Sequence, residues 1–124
     1  MRIFKTKRFH KWAANEKLSD IAIKQAVKEI SEGLVDADLG AHLYKKRIGL
    51  QGRGKRSCIR TLLAFKIEQR VFFIYGFSKN ERDNIKTDEL NALKSYAKEL
   101  LGYSEVALKK ALEANVLVEV NNDE

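Results

Sequence analysis

The hydrophobic period of this sequence changes twice, and these changes limit the fold more than any other feature. From Lys7 to Lys17, and again after Ser19, apolar residues recur at the spacing of helices. Between residues 42 and 77, the segments HLYKKRIGL, SCIRTLLAFKI and RVFFIYGF are rich in β-branched and aromatic residues and are separated by the short turns GRGKRS and EQ. From Thr87 onward the helical period returns. The sequence therefore predicts an antiparallel meander of three strands between two helical regions.

This order predicts an α+β fold with two N-terminal helices packed on a twisted antiparallel sheet and additional C-terminal helices over about 87–114. Ser19 is the expected N-cap of the second helix, because a serine oxygen accepts a hydrogen bond from a free N–H of the first turn. Residues 2–5 read as a short strand and VLVEV, at 116–120, reads as an edge strand. A chain of 124 residues suffices for one core, so we expect a single domain over 1–124.

The composition excludes several classes of protein. Cys58 is the only cysteine, which excludes an internal disulfide and a cysteine-based zinc site. His10 and His42 have no partner at the spacing of a metal site, and no nucleophile-elbow or P-loop motif occurs. We therefore predict no metal and no cofactor. No apolar run approaches the roughly 20 residues of a membrane span, and the charged N-terminus lacks the apolar core of a signal peptide. We expect a cytoplasmic protein with no membrane partner.

Positive charge is concentrated in two stretches of the chain. The formal net charge is +7, and neither residues 1–15 nor residues 39–67 contain an acidic residue. Together these two stretches carry +13, whereas the rest of the chain carries −6. So one-sided a distribution favours a cationic surface that binds a polyanion over an evenly solvated lysine-rich face.

Arg60 is the most informative single residue. Strand alternation from Ser57 places it on the same face as Cys58, Leu62 and Ala64, an otherwise apolar neighbourhood. Desolvating an arginine without a partner is costly, so the side chain needs a counter-ion. One interpretation is an internal ion pair with Glu68 or Glu81, and the other is a phosphate ligand.

The end of the third strand, YGFSKNERDNI, adds aromatic side chains to the cationic ones. Tyr75 and Phe77 share a face in the alternation, and Lys79 falls in the same series. Two aromatic rings on a strand are most often part of a core. Beside a cationic strand they also suit stacking on unpaired bases.

Two segments resemble a known family. KKRIGLQGRGKRSCIRTLLAFK followed by VFFIYGFSKNERDNI is similar to the RelE/ParE superfamily of bacterial type II toxins, and closest to its HigB-like branch. The C-terminal ALEANVLVEV also resembles that branch. The sequence departs from the branch where KRSCIR replaces a glycine-rich K-S-G-G-Y-R, and no equivalent of the C-terminal tyrosine of RelE is evident.

The resemblance implies a metal-independent endoribonuclease that cuts mRNA on the ribosome and inhibits translation. By position it implies Arg60 as the main transition-state cation, with Lys55 and Arg56 holding the phosphate or substituting for a base, and Lys79 contributing from the next strand. The resemblance and the charge pattern together predict an RNA-binding set of Lys45, Lys46, Arg47, Arg53, Tyr75, Phe77 and Arg82.

The resemblance also implies partners. These are the ribosome, mRNA and a cognate antitoxin, which in this branch is often a helix-turn-helix protein. The exposed edge of residues 116–120 is a candidate for pairing with that antitoxin. Two alternatives remain open at this point: a gyrase inhibitor of the ParE kind, and a basic nucleic-acid-binding module without catalysis.

Overall fold

The fold is taken from a computed structural model that describes residues 1–49, 58–66, 69–78 and 85–120. Along the chain, its elements are β1 Arg2–Thr6, α1 Lys7–Asn15, α2 Asp20–Ser31, β2 Ala37–Gly40, β3 Leu43–Gly49, β4 Cys58–Phe65, β5 Arg70–Ser78, α3 Thr87–Leu101, α4 Glu105–Glu113 and β6 Leu117–Glu119. The mixture of helices with one sheet confirms the predicted α+β class.

The helices begin close to the positions that the sequence indicates. Ser19 accepts a hydrogen bond from the Ala22 N–H at 3.1 Å, which confirms the predicted N-cap of α2. Ser104 caps α4 in the same way. The first helix was predicted to reach Lys17 but ends at Asn15. Lys17 has a left-handed φ of +60°, which a right-handed helix cannot accommodate.

The sheet has the order β2-β3-β4-β5-β1-β6. Strands β3, β4 and β5 form the predicted antiparallel meander, and β6 is the predicted edge strand, although it is shorter than 116–120. The expectation of a wholly antiparallel sheet is wrong, because β1 lies parallel to β5 and makes the sheet mixed. The chain thus starts with an interior strand ahead of its first helix. Burial of Ile3 on one face of β1 and Phe4 on the other suits that interior position.

β2 was not predicted, because its four residues ADLG carry little of the β-branched and aromatic character of strands. It pairs with β3 through a two-residue turn made by Ala41 and His42. Both residues have left-handed φ values, +56° and +62°. Such values match the right-handed twist of a hairpin, so the turn itself places β2 at the edge of the sheet.

Helices cover both faces of the sheet. One core lies against α1 and α2 and includes Phe9, Ile23, Leu63 and Phe73. The other lies against α3 and α4 and includes Phe4, Leu62, Phe72, Leu100 and Leu108. The predicted C-terminal helices therefore close the second face of the sheet. Across the described ranges, no helix combines the length and the apolar character that crossing a bilayer requires.

A bulge between β4 and β5 sets the direction of the side chains at the end of β5. Leu63 pairs with Phe73 and Leu62 pairs with Tyr75, so Ile74 is an extra residue on β5. Beyond the bulge, Tyr75 follows the direction of Leu62, because directly paired residues point to the same face of a sheet.

Candidate nucleic-acid interface

Two rows of side chains cross the central strands on the face that α3 covers in part. The first row is Arg47, Arg60 and Phe77, and the second contains Lys45, Leu62 and Tyr75. Each row is made of directly paired residues of β3, β4 and β5, whose side chains point to one face. The structure thus brings together five of the predicted site residues, Lys45, Arg47, Arg60, Tyr75 and Phe77. We call these five the cationic face.

Arg47 and Arg60 are direct cross-strand neighbours with the same charge. Arg60 is half-buried on β4, which lies between two other strands, whereas Arg47 is exposed. Within residues 1–49, 58–66, 69–78 and 85–120, neither side chain has an ion-pair partner. Glu68 and Glu81, the suggested internal partners of Arg60, lie outside these ranges. Two like charges placed opposite each other repel, and a bound anion relieves that repulsion.

The two aromatic residues of the cationic face differ in exposure. Their ring centroids lie 6.1 Å apart, which confirms the prediction that they share a face. Phe77 is 1% exposed, so its ring is part of the packed interior and does not reach the surface. Tyr75 is half-buried, and the Arg8 guanidinium lies over its ring, 5.6 Å from the centroid. Of the two aromatic residues, only Tyr75 is therefore partly accessible from the surface.

Lys46 points away from the cationic face. It alternates with Lys45 and Arg47, so its side chain lies on the α2 side of the sheet. There it is 8% exposed, and its Nζ lies 2.8 Å from Glu29 Oε1 and 2.9 Å from the Leu34 carbonyl oxygen. The Lys46 hydrogen bond is the main cause that lowers the pKa of the Glu29 carboxyl. The structure therefore gives Lys46 an internal ion pair and does not bring it to the RNA-binding set.

The basic residues of the acid-free stretch 1–15 also divide into some that form ion pairs inside the protein and others that are exposed. Lys5 is 5% exposed and its Nζ donates to Asp20 Oδ1 at 3.1 Å. Arg2 makes two hydrogen bonds of 2.8 Å with the Glu119 carboxylate, which raises the pKa of Arg2 and lowers that of Glu119. Arg8 is exposed and joins Tyr75 at the cationic face. Apart from the position of Arg8 in an acid-free stretch, nothing in the sequence indicates that contact.

The remaining predicted residues, Lys55, Arg56, Lys79, Arg53 and Arg82, lie outside the described residues. The strand ends that flank them in the sequence lie next to one another, at one end of β3, β4 and β5. Gly49 at the end of β3 pairs with Cys58 at the start of β4, and Ser78 at the end of β5 pairs with Ile59. Arg60 follows Cys58 and Ile59 on β4, so it lies close to these strand ends.

The arrangement suits binding of a phosphate diester better than a metal. In the described part of the chain, no group of three or more His, Cys, Asp or Glu side chains is placed to hold a metal ion. The cationic face instead offers guanidinium groups, which donate several hydrogen bonds in a fixed plane to phosphate oxygens.

Comparison with known proteins identifies a family. The family model described as RelE toxin of RelE / RelB toxin-antitoxin system matches residues 1–120. No curated protein matches the chain. The match is to the family as a whole, so a place in the HigB-like branch stays a prediction.

Proposed function

From the premise that the chain belongs to the RelE toxin family, we propose that it inhibits translation as a ribosome-dependent mRNA endoribonuclease. Its general role is that of a toxin in a toxin-antitoxin system, in which the toxin pairs with an antitoxin. Within the family we place it near the HigB-like branch, on the strength of its FFIYGFSKNERDNI segment.

The observation that carries the proposal is the pairing of Arg47 with Arg60 on neighbouring strands. Cleavage of a phosphodiester builds negative charge on the phosphorus oxygens in the transition state. Cations stabilise this charge most when they are already fixed in place, because no reorganisation is needed at the moment of reaction. Arg60 meets this condition because its strand is hydrogen-bonded on both sides and its neighbour Phe77 is buried.

The reaction that fits these residues uses the RNA itself as nucleophile. The 2′-OH of a ribose loses its proton and attacks the adjacent phosphorus. The bond to the 5′-oxygen of the next nucleotide breaks, and that oxygen takes up a proton. The products are a 2′,3′-cyclic phosphate and a 5′-OH end, so the reaction consumes no metal, water or cofactor in this step.

We assign roles to individual residues on this scheme. Arg60 stabilises the transition state, and Arg47 and Lys45 bind the neighbouring phosphates. Lys55 and Arg56 hold the scissile phosphate or substitute for a general base. Lys79 and Arg82 assist from the segment after β5. Tyr75 orients or stacks on a base of the bound strand.

The partners follow from the same proposal. They are the ribosome with its mRNA and an antitoxin of the helix-turn-helix class. Pairing of the antitoxin with the edge strand β6 remains a hypothesis. Deleting residues 116–124 is a poor test of it, because Leu117 and Val120 are each 1% exposed and belong to the two cores.

Primer extension on mRNA from a translating extract tests the nuclease proposal. Wild-type protein should create discrete new 5′ ends only during translation, and Arg60→Ala should lower their yield about 10²–10³-fold, as loss of one preorganised donor does. Lys98→Ala is the matched control, since Lys98 is an exposed cation on α3 that does not belong to the cationic face.

The outcomes separate the alternatives. Equal cleavage by wild type and Arg60→Ala would remove Arg60 from the site. Intact mRNA with wild-type protein would contradict the nuclease proposal and leave gyrase inhibition or binding without catalysis as the leading account.

A further inference from the structure

A cavity of about 260 Å³ opens beside Tyr75, at the junction of α1, β5 and α3. Its walls are mostly apolar and include Leu93 and Tyr96 of α3 and Ile74 and Tyr75 of β5. Val116, which precedes β6 and is 44% exposed, forms part of the rim. A cavity with aromatic walls and an open mouth suits a flat, partly apolar ligand.

The mouth of the cavity is cationic. Lys7 and Arg8, the first two residues of α1, both line it and both are exposed. Neither has a carboxylate partner among the described residues. The positive end of the α1 dipole lies at the same place, and no acidic residue occupies the first turn of α1. The site therefore combines flat apolar walls with positive charge at its entrance.

Tyr96 adds a phenol to the lining of the cavity. Burial is the main cause that raises the pKa of its phenol, with Tyr103 and Glu99 contributing. The phenol therefore stays neutral at physiological pH and keeps its proton, so it can donate a hydrogen bond to a ring nitrogen or a carbonyl oxygen.

The cavity is continuous with the cationic face. Tyr75 is the second residue before Phe77, which pairs directly with Arg60. Arg60 and Tyr75 are thus diagonal cross-strand neighbours, a relation in which Cα atoms are about 7–8 Å apart. The guanidinium of Arg8 over the Tyr75 ring connects the two regions.

We propose that this cavity binds one unpaired nucleobase of the strand whose phosphate contacts Arg60, with the base between Tyr75 and Tyr96 and its own phosphate at Lys7 and Arg8. This inference rests on the proposed function, since it assumes that the cationic face binds RNA. It adds Lys7 and Arg8 of α1 and Tyr96 of α3 to the strand residues that the resemblance indicates, of which Tyr75 forms one wall.

An abasic scan tests the subsite directly. The probes are short single-stranded oligonucleotides of RNA sequence made with 2′-deoxyribose, which lack the attacking hydroxyl and so cannot be cleaved. One base at a time is removed while every phosphate is kept, and binding is followed at low salt by fluorescence anisotropy. At one position, we expect base removal to weaken binding about tenfold, within the range that base–aromatic stacking supplies.

Three variants define the cavity. Val116→Phe fills it from the exposed rim and removes no cation. Tyr96→Ala removes a wall, and Arg8→Gln removes one of the two cations at the mouth. Val116→Phe and Tyr96→Ala should each abolish the difference between the intact and the abasic probe, whereas Arg8→Gln should weaken both probes, because the phosphate it contacts is present in each. Lys11→Gln is the matched control for charge, because Lys11 is an exposed cation of α1 outside the cavity lining. It should keep the difference and weaken both probes less than Arg8→Gln does.

Thermal unfolding separates a binding defect from a folding defect. Should Tyr96→Ala fail to fold, Val116→Phe still decides the question, because Val116 is exposed. Equal binding of intact and abasic probes by wild-type protein, or no binding of either, would overturn the inference. So would a base-dependent difference that survives in Val116→Phe, since the base would then lie elsewhere.

The result is distinguishable from a failure of the proposed function. Base-dependent binding with intact mRNA in the primer-extension assay would leave the subsite standing and reject the nuclease. Cleavage that depends on Arg60, together with equal binding of both probes, would reject the subsite alone.

Discussion

The buried lysines on the α2 side of the sheet and the arginines of the cationic face differ in whether a carboxylate neutralises them. On the α2 side, the Lys5 and Lys46 side chains are nearly buried, and each forms an ion pair, with Asp20 and Glu29 respectively. On the cationic face, Arg47 and Arg60 lie side by side, and no carboxylate of the described residues forms an ion pair with either side chain, although the Arg47 backbone N–H donates to Asp36 Oδ2 at 2.6 Å. The two sets come from the same acid-free stretches of sequence.

The difference shows that local charge density does not tell which cations are available to a ligand. A buried ammonium group needs a counter-ion or several hydrogen bonds, because the loss of hydration is expensive. Lys46 satisfies this need inside the protein, whereas Arg47 remains hydrated or bound to a ligand. The comparison assigns folding to one set and binding to the other, and each of the following changes tests that division.

The largest expected effect is that of Gly76→Ala. A Cβ at Gly76 would lie 2.2 Å from Trp12 Cζ3, on the face covered by α1. At Gly49, on the cationic face, a Cβ would meet nothing within 4 Å. We expect Gly76→Ala to lower the free energy of unfolding by about 3 kcal/mol, at the upper end for overpacking.

Gly49→Ala is the control for that change, and it should stay within about 0.5 kcal/mol of wild type. Urea denaturation measures both. Similar values for the two variants would show that the two faces are packed alike.

The next effect separates neighbouring residues of β3. Lys46→Thr should lower the free energy of unfolding by about 1–3 kcal/mol, because the Leu34 carbonyl loses its donor and Glu29 loses its cation. Arg47→Thr places the same residue one position along, on the other face, and should change the free energy of unfolding by less than about 0.5 kcal/mol. If Arg47→Thr were the more destabilising variant, the assignment of the two faces would be reversed.

In RNA binding the order of the two variants should be reversed: Arg47→Thr should have the larger effect and Lys46→Thr the smaller. The slope of log K against log salt should become shallower by about 0.7 in Arg47→Thr, the value for one phosphate contact on a single strand. Lys46→Thr, once its folded fraction is accounted for, should leave the slope unchanged. Titration of a single-stranded oligonucleotide at several salt concentrations provides the measurement. Loss of slope in Lys46→Thr would mean that this lysine contacts RNA after all.

The smallest effect is on the pH dependence of stability. The hydrogen bond from Lys46, followed by that from Gln25, lowers the pKa of Glu29 below its ordinary value of 4.5. Glu29 therefore contributes stability that is present above pH 4.5 and is lost as the pH falls through the lowered pKa. Glu29 is partly exposed, so solvent screens the pair and the effect is small.

Wild type should lose more stability than Lys46→Thr between about pH 6 and pH 3, the range in which this carboxyl takes up its proton. Glu119, whose pKa Arg2 lowers, contributes equally in both proteins and cancels in the comparison. If the free energy of unfolding changed with pH in the same way in the two proteins, the Lys46–Glu29 ion pair would make no contribution to stability.

Much of the fold was predictable because its signals are local. The helical periods, the Ser19 cap and the strand-rich middle depend on residues within a few positions of one another, and α2, β3, β4 and β5 appear where these signals indicate. The parallel position of β1 beside β5 was not predictable in this way. Arg2 and Arg70 are paired in that ladder although they are far apart in the sequence, and a period carries no information about which distant strand is the partner.

The candidate site also has features that local sequence signals predict and features that depend on distant contacts. Strand alternation by itself separates Lys46 from Lys45 and Arg47, but it does not say which face is covered, so the sequence grouped all three. Exposure of Tyr75 and burial of Phe77 depend on the bulge at Ile74 and on neighbouring elements, and the contact of Arg8 with Tyr75 joins two elements separated by most of the chain. The sequence determined the charge, the periods and the strands. Only the tertiary structure decided which cations are neutralised inside and which have no ion pair among the described residues, because that depends on the carboxylates and helices that folding brings to each face.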